Sequence, residues 1–321
     1  MPQLSIRQSL NKAFLKAKPN RQQIEIFKRN LIHLADNVNE NQGEEYHKGL
    51  VVDFLKNTYY SPEYFINTKG RKDQVIHKGK SAKSPVAVMI EAKSPGNKAE
   101  MLSAARLNCK ALQEILLYYL RERISDGNLE VKNLVVTNLH EWFIFDSQQF
   151  EKHFAQNKKL VKSFRDFEDG RLSGSKTEFF YKEIASPAIA AVEEQLEYTW
   201  FDLRKFFKPL KNADKADDKK LIPLYKVFSP EHLLKLAFAN DSNSLNRSFY
   251  AELLHIIGLR EEKDKGKKII DRLPEGERQP ASLLENTITK LEARDYLSRL
   301  DKRKQFGETY HEQLFNVALE R

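Results

Sequence analysis

The segments Asp73-Gln-Val-Ile-His77 and Val86-Ala-Val-Met-Ile-Glu-Ala-Lys93 determine the fold that we expect for this chain. Each is a short apolar run bounded by polar residues, which is the pattern of a β-strand. Because strand side chains alternate between two faces, Glu91 and Lys93 project to one side, and the other side receives the core residues Val86, Val88, Ile90 and Ala92. Packing alone gives little reason for two charges on one face at the end of an apolar strand.

The sequence around these segments predicts a mixed sheet flanked by helices. Helices are predicted over residues 2–40 and 44–59, strands over 64–67, 73–76 and 86–93, a helix over about 99–124, and strands over 134–137 and 142–145. The polar turn at 77–84 joins antiparallel strands. The helix between the third and fourth strands is a crossover, which requires a parallel pair with a right-handed connection. The predicted class is therefore α/β.

Beyond residue 150 the pattern becomes mainly helical, so we predict two regions, residues 1–150 and 151–321. Helices are indicated over 150–154, 160–167 and 187–207, and Gly258 has the position of a helix C-cap. The last residues form an amphipathic run that ends without a cap. This predicts a fragment of a longer protein, with an ordinary C-terminal helix as the alternative.

Composition favours a polyanionic partner and argues against several classes of protein. The chain has 321 residues, a net charge of +9 and a pI of about 9.3, which suits nucleic acid, although ordinary solubility also explains this charge. Cys109 is the lone cysteine, so a disulfide framework is excluded. No stretch approaches the roughly 20 apolar residues of a membrane span, and the N-terminus lacks the apolar run of a signal peptide. We expect a cytoplasmic protein.

Asp73, Glu91 and Lys93 together suit a divalent-metal site that hydrolyses a phosphodiester. Mg²⁺ (or Mn²⁺) is held by few carboxylates, and Asp73 and Glu91 supply them. Lys93 would orient or deprotonate the attacking water, or neutralise charge on the phosphate. Glu45, near the start of the preceding helix, is a candidate third carboxylate, although the helix macrodipole also explains an acid there. Solvated strand charges are the alternative for the whole set.

These residues resemble a known family. Asp73 with Glu91-Ala-Lys93 resembles the PD-(D/E)xK nuclease motif, which implies a restriction-endonuclease-like αβββαβ core. More narrowly, residues 67–77, 88–101 and 111–123 resemble the N-terminal nuclease region of type IIG restriction–modification enzymes of the Eco57I kind, over about residues 40–150. Residues 250–259 resemble the helical connector that leads to an adenine-N6 methyltransferase in such enzymes.

The resemblance implies roles for individual residues. Asp73 and Glu91 would be metal ligands and Lys93 the catalytic lysine. Gln113, with Tyr118 or Tyr119, would correspond to a glutamine–tyrosine motif, but its spacing of five residues to Tyr118 departs from the commoner four. Lys72 replaces the motif's proline. No Asn-Pro-Pro-Tyr/Phe segment and no glycine-rich cofactor loop occurs, so we expect no S-adenosylmethionine site in this chain. Either the methyltransferase and target-recognition parts are separate or the chain is truncated before them.

The expected substrate is double-stranded DNA, gripped by basic loops beside the site. The candidate phosphate contacts are Lys69, Arg71, Lys72, Lys78, Lys80 and Lys83, for which an ordinary solvated turn is an equal alternative. The eight histidines show no paired metal spacing, so zinc is not expected. The predicted function is a Mg²⁺-dependent DNA endonuclease module that is weakly active or inactive alone and has little sequence preference. A catalytically silent DNA-binding or scaffolding module, or a nuclease acting on RNA or DNA ends, are the competing hypotheses.

Overall fold

The computed structural model describes residues 2–68, 74–172, 176–212, 218–236, 247–264 and 267–293. It divides the chain into two compact units, Met1–Asp241 and Ser242–Arg321. The sequence pattern placed the boundary near residue 150. The first unit extends further because residues after 150 add both a strand and helices to it.

The first unit is built on a seven-stranded mixed sheet. In sheet order the strands run β1-β7-β6-β5-β4-β3-β2. Their bounds are β1 Gln3–Leu4, β2 Ile66–Thr68, β3 Gln74–His77, β4 Val86–Ala92, β5 Asn133–Thr137, β6 Glu141–Asp146 and β7 Tyr198–Asp202. The β1–β7 and β4–β5 pairs are parallel and the other neighbours are antiparallel. The predicted hairpin and the predicted crossover pairing are therefore both confirmed.

Helices cover both faces of this sheet. Their bounds are α1 Ile6–Ser9, α2 Lys12–Lys16, α3 Arg21–Asn37, α4 Glu44–Leu55, α5 Lys110–Leu120, α6 Ser147–Phe150, α7 Lys158–Glu168, α8 Thr177–Phe179, α9 Ser186–Ala190, α10 Phe207–Lys211, α11 Asp218–Val227 and α12 Pro230–Leu233. Several of them continue into single π-helical turns, including α4 over Lys56–Tyr60 and α5 over Arg121–Ser125.

Strand β4 lies inside the sheet between β5 and β3, and all seven of its residues are buried. Ala87, Val88, Ile90 and Ala92 pack in the core that contains α3 and α4, whereas Met89 packs in the core that contains α5. Val86 joins Met89 instead of Val88, contrary to the simple alternation. The reason is a register shift in the β3–β4 pairing between Ile76 and His77, which brings Val86 opposite His77.

The crossover helix α5 begins at Lys110, about ten residues later than predicted. The preceding segment is tied into turns by long-range contacts. The backbone N–H groups of Leu107 and Asn108 both donate to the Glu193 carboxylate, at 2.6 and 2.9 Å. Because these donors are bound to a residue far along the chain, they are not available to an earlier helical turn.

Strand β7 lies within the region predicted to be helical over 187–207. Residues Tyr198–Asp202 pair antiparallel with β6 and carry β1 on their other edge. The N-terminal segment also contacts α11, through the buried side chain of Lys226. Its ammonium donates to the backbone carbonyl oxygens of Phe14, Leu15 (2.9 Å) and Ala17.

The second unit is a β-hairpin with helices. Helix α13 (Arg247–Ile257) is followed by strands β8 (Leu259–Asp264) and β9 (Lys267–Arg272), which pair antiparallel, and by α14 (Leu283–Ala293). Gly258 has φ +96° and its N–H donates to the Leu254 carbonyl, so the predicted C-cap is confirmed. The sequence pattern indicates a loop over residues 266–278 with short strand pairing around it as an option, and β8 and β9 form such a pair. Across the described parts of both units, no helix is both long and apolar enough to cross a membrane.

Candidate functional site

Lys93 lies at the carboxyl end of β4 and is the centre of a buried charge cluster. Its backbone N–H donates to the Thr137 carbonyl at 2.8 Å, which extends the β4–β5 ladder by one residue. Its side chain is 4 % exposed and that of Glu91 is fully buried. The Lys93 Nζ atom lies 2.7 Å from Glu91 Oε1 and 2.6 Å from Glu114 Oε2. A charge survives burial only when it is paired in this way.

Two further carboxylates approach the same ammonium. Glu44 Oε2 lies 3.6 Å and Glu100 Oε2 4.0 Å from Lys93 Nζ. The four acids come from four different parts of the chain. Glu91 belongs to β4, Glu114 to α5 and Glu44 to the first turn of α4, while Glu100 lies in the turns before α5. Helices α4 and α5 pack in different cores, so their acidic residues converge on Lys93 at the end of the sheet.

The electrostatics keep this lysine charged. Burial by itself lowers the pKa of Lys93, but the negative charges of Glu91 and Glu114 act against burial and leave the pKa above its ordinary value. Burial acts in the other direction on a phenol, whose protonated form is neutral: burial, followed by the charge of Glu114, raises the pKa of the neighbouring Tyr181 to about 12. At neutral pH the cluster therefore contains an ammonium ion beside an un-ionised phenol.

Two outer lysines balance the remaining acids. Lys48 Nζ lies 2.8 Å from Glu44 Oε1, and Lys110 Nζ lies 3.0 Å from Glu100 Oε1. Acids and lysines thus alternate around the end of β4, and Lys93 is the innermost member.

Comparison with protein families gives a clear result for most of the chain. Residues 4–241 match a family described as a domain of unknown function, DUF7149. The chain belongs to the DUF7149 family. Residues 242–321 match a second domain of unknown function, DUF7814, and the two spans agree with the two compact units. No curated protein and no solved structure shows a significant match to the chain.

Within the DUF7149 region, the predicted triad is brought together for Glu91 and Lys93. Asp73 lies outside the described residues. Gln74, which follows it in the chain, pairs with Ile90, which precedes Glu91. The role of Asp73 as a metal ligand therefore stays a prediction.

The third carboxylate at Lys93 comes from a neighbour of the predicted residue. The Glu45 side chain is 87 % exposed and pairs with Lys48 at 3.0 Å. Glu44, one residue earlier on α4, is the acid that turns toward Lys93. The helical phase explains the difference. Glu44 lies one turn before His47 and Lys48, on the side of the helix that faces the protein, and Glu45 faces solvent.

The predicted accessory residues on α5 have other contacts. Gln113 Nε2 donates to Asn108 Oδ1 at 2.9 Å, and Tyr118 is partly buried and packs against the core that contains α5. The Tyr119 hydroxyl donates to Glu151 at 3.1 Å. Glu114 is the residue of this helix that contacts Lys93. A signal for it exists in the sequence, since it is an acid within the apolar stripe Ala111-Leu-Gln-Glu-Ile-Leu116.

The predicted DNA-contacting residues are only partly described. Lys69, Arg71 and Lys72 lie outside the described residues. Lys78 pairs with Glu130 at 2.6 Å and Lys80 with Glu63 at 2.9 Å, whereas Lys83 is exposed in the same turn.

Carboxylate oxygens are the possible metal ligands that this site offers. Carboxylate oxygens are the ligands that Mg²⁺ prefers, and one or two of them are enough when phosphate and water complete the coordination. Glu91 and Glu44 offer such oxygens beside Lys93. In the part of the chain that the structure describes, no group of three or more His, Cys, Asp or Glu side chains is arranged to hold a metal ion. A site with the usual carboxylate pair of the motif would therefore need Asp73.

Proposed function

We propose that the DUF7149 region is a metal-dependent endonuclease module that hydrolyses phosphodiester bonds in double-stranded DNA. The observation that carries the proposal is the Glu91–Lys93 pair at the end of β4. This strand pairs antiparallel with β3 and parallel with β5, and α4 precedes the strands while α5 forms the crossover. That succession supports a restriction-endonuclease-like αβββαβ core, and the motif supports a place in a restriction–modification enzyme related to type IIG.

Asp73 and Glu91, with Glu44 as a third carboxylate, would hold Mg²⁺ or Mn²⁺. When bound, the metal supplies Lewis-acid polarisation of the phosphate and a more acidic bound water. Lys93 supplies positive charge at a fixed position, where it offsets the charge that develops on the phosphate oxygens. The buried wall around Glu91 keeps bulk water away from this charge and strengthens its effect.

DNA would be held through its phosphates by lysines beside the site. Lys83 is exposed, and the net positive charge of the chain favours an approach of DNA. Lys78 and Lys80 would exchange their carboxylate partners for phosphate. Such binding weakens steeply as salt rises, because phosphate contacts release counterions. The base-reading and methylating parts would belong to another module, so the chain alone should cut weakly and with little sequence preference.

The second candidate is a DNA-binding or scaffolding module with no turnover. The observation that favours it is the inaccessibility of the site, since Glu91 is fully buried and Lys93 is 4 % exposed. A silent module would bind DNA equally well without metal and after Glu91→Gln.

Plasmid cleavage by the full chain in Mg²⁺ or Mn²⁺ separates the two functions. We expect nicking or linearisation that Lys93→Met and Glu91→Gln abolish. The matched control is Lys110→Met, which removes a lysine of the same cluster that is about one-third exposed. Linear DNA and RNA of equal length test the third hypothesis, a nuclease for DNA ends or RNA.

Two results would contradict the proposal. The first is no cleavage in either metal, even with a methyltransferase module of this enzyme class joined to the chain. The second is equal cleavage by wild type and Lys93→Met. Robust site-specific cutting by the chain alone would instead overturn the expectation that recognition lies in another module.

A further inference from the structure

Glu114 is an acid in a place where the sequence otherwise puts apolar side chains. Its neighbours one turn before and after on the same face of α5, Ala111 and Leu117, are fully buried in the core. Burying a carboxylate there costs several kcal/mol unless it is paired. Its partner is Lys93 Nζ at 2.6 Å, the shortest of the four carboxylate approaches to that ammonium within the described chain.

The contact matters because a lysine side chain is long and flexible. Its ammonium has three N–H donors on a four-carbon stem and takes its position from the acceptors around it. Glu91 holds Lys93 from two residues away on the same strand, at 2.7 Å. Glu114 holds it from a different element, so the two contacts together fix the direction of the side chain.

The same four acids then divide into two roles. Under the proposed function, Glu91 and Glu44 turn oxygens toward the metal, and both become poorer partners for the lysine. Glu100 is 4.0 Å away and is shared with Lys110. Glu114 is the close carboxylate that the metal does not require.

We infer that Glu114 is a positioning residue that keeps the Lys93 ammonium aimed at the reacting phosphate while Glu91 serves the metal. The inference rests on the proposed nuclease function. A merely structural Glu114 would only compensate for a buried charge, and its loss would lower stability without a specific effect on turnover.

The test compares Glu114→Gln with Glu122→Gln. Glu122 is a matched control because it is a buried glutamate just beyond α5 in the same helical run and accepts a hydrogen bond from Asn128 at 2.9 Å. We expect Glu114→Gln to lower kcat about 10- to 100-fold with the KM for DNA unchanged, since small displacements of a reacting group have effects of this size. Glu122→Gln should leave both constants unchanged.

A second readout needs neither metal nor DNA. In protein labelled with ¹⁵N-lysine, the Lys93 ammonium should give a slowly exchanging NMR signal, identified by its loss in Lys93→Met. Glu114→Gln should broaden this signal and Glu122→Gln should not. If Glu114→Gln does not fold, Glu114→Asp replaces it. That variant keeps the charge but withdraws it by one methylene, so it should show a lower kcat at near wild-type thermal stability.

The outcomes distinguish the inference from the function on which it rests. If wild type cleaves DNA and Glu114→Gln cleaves equally fast, or if its Lys93 signal is unchanged, the positioning role is overturned and the nuclease proposal survives. If no variant and no wild type cleaves while the signal still responds to Glu114→Gln, the nuclease proposal fails and the contact is a structural ion pair.

Discussion

Replacing Lys93 by methionine should destabilise the first unit strongly. The methionine keeps most of the side-chain volume, so the main effect is electrostatic. It leaves two buried carboxylates, Glu91 and Glu114, without the cation that both contact within 2.7 Å. Removing one partner of a buried ion pair costs about 3–5 kcal/mol, and here one substitution removes the partner of two buried carboxylates. We therefore expect a loss of roughly 4–5 kcal/mol. For a unit of this size that corresponds to a fall of roughly 8–20 °C in Tm.

Urea denaturation with a chelator present measures this loss free of metal binding. The double variant Lys93→Met/Glu114→Gln should recover part of the free energy of unfolding, because it removes one of the two carboxylates that have lost the Lys93 ammonium. Lys110→Met is the control, and it should lose less than about 1 kcal/mol because its ion pair with Glu100 is partly exposed to solvent. A Lys93→Met protein within about 1 kcal/mol of wild type would refute the reasoning, since it would mean that the cluster is open to water.

Three further predictions concern stability. Burial lowers the pKa of His232 to about 4, so the unfolded chain binds the proton more readily and stability should fall by up to about 3 kcal/mol as the pH drops from about 6.5 to 4. The free energy of unfolding, measured by denaturation at several pH values in this range, should change less with pH for His232→Gln than for wild type. A wild-type free energy of unfolding that does not change with pH would contradict the assignment. Gly258→Ala should destabilise the second unit by more than about 1 kcal/mol, because φ is +96° and a Cβ atom would lie 2.6 Å from Ser282 Oγ. Gly276→Ala, in open space, should be nearly neutral, and equal effects of the two would argue against strain. Lys226→Met should cost about 3 kcal/mol in thermal denaturation, since it removes an ammonium that donates to three backbone carbonyl oxygens, and an unchanged Tm would show that water replaces the ammonium.

The centre of the fold was predictable from the sequence because its signals are local. An apolar run of strand length ending in Glu-Ala-Lys specifies β4, and a helix followed by another apolar run specifies the crossover to β5. The pairing of Glu91 with Lys93 follows from the same two-residue period. These features depend on residues within one or two elements, where periodicity is informative.

The rest of the cluster depends on contacts between distant residues. Glu44 and Glu114 meet at Lys93 only because two helices pack in different cores and end at the same edge. The late start of α5 depends on Glu193, which lies more than 80 residues further along. Strand β7 resembled part of a helix because it is short and follows a helical segment. Its role is determined by the edge of β6 that it completes.

The pairing of β1 with β7 has a consequence for synthesis of the chain. Gln3 and Leu4 pair with Tyr198 and Thr199, so during synthesis β1 has no strand partner until almost two hundred further residues have been made. This edge of the sheet therefore forms only after β7 has been synthesised. A fusion partner or tag placed directly before Gln3 would act on this last step of assembly, whereas β4 and β5 are made early and close together.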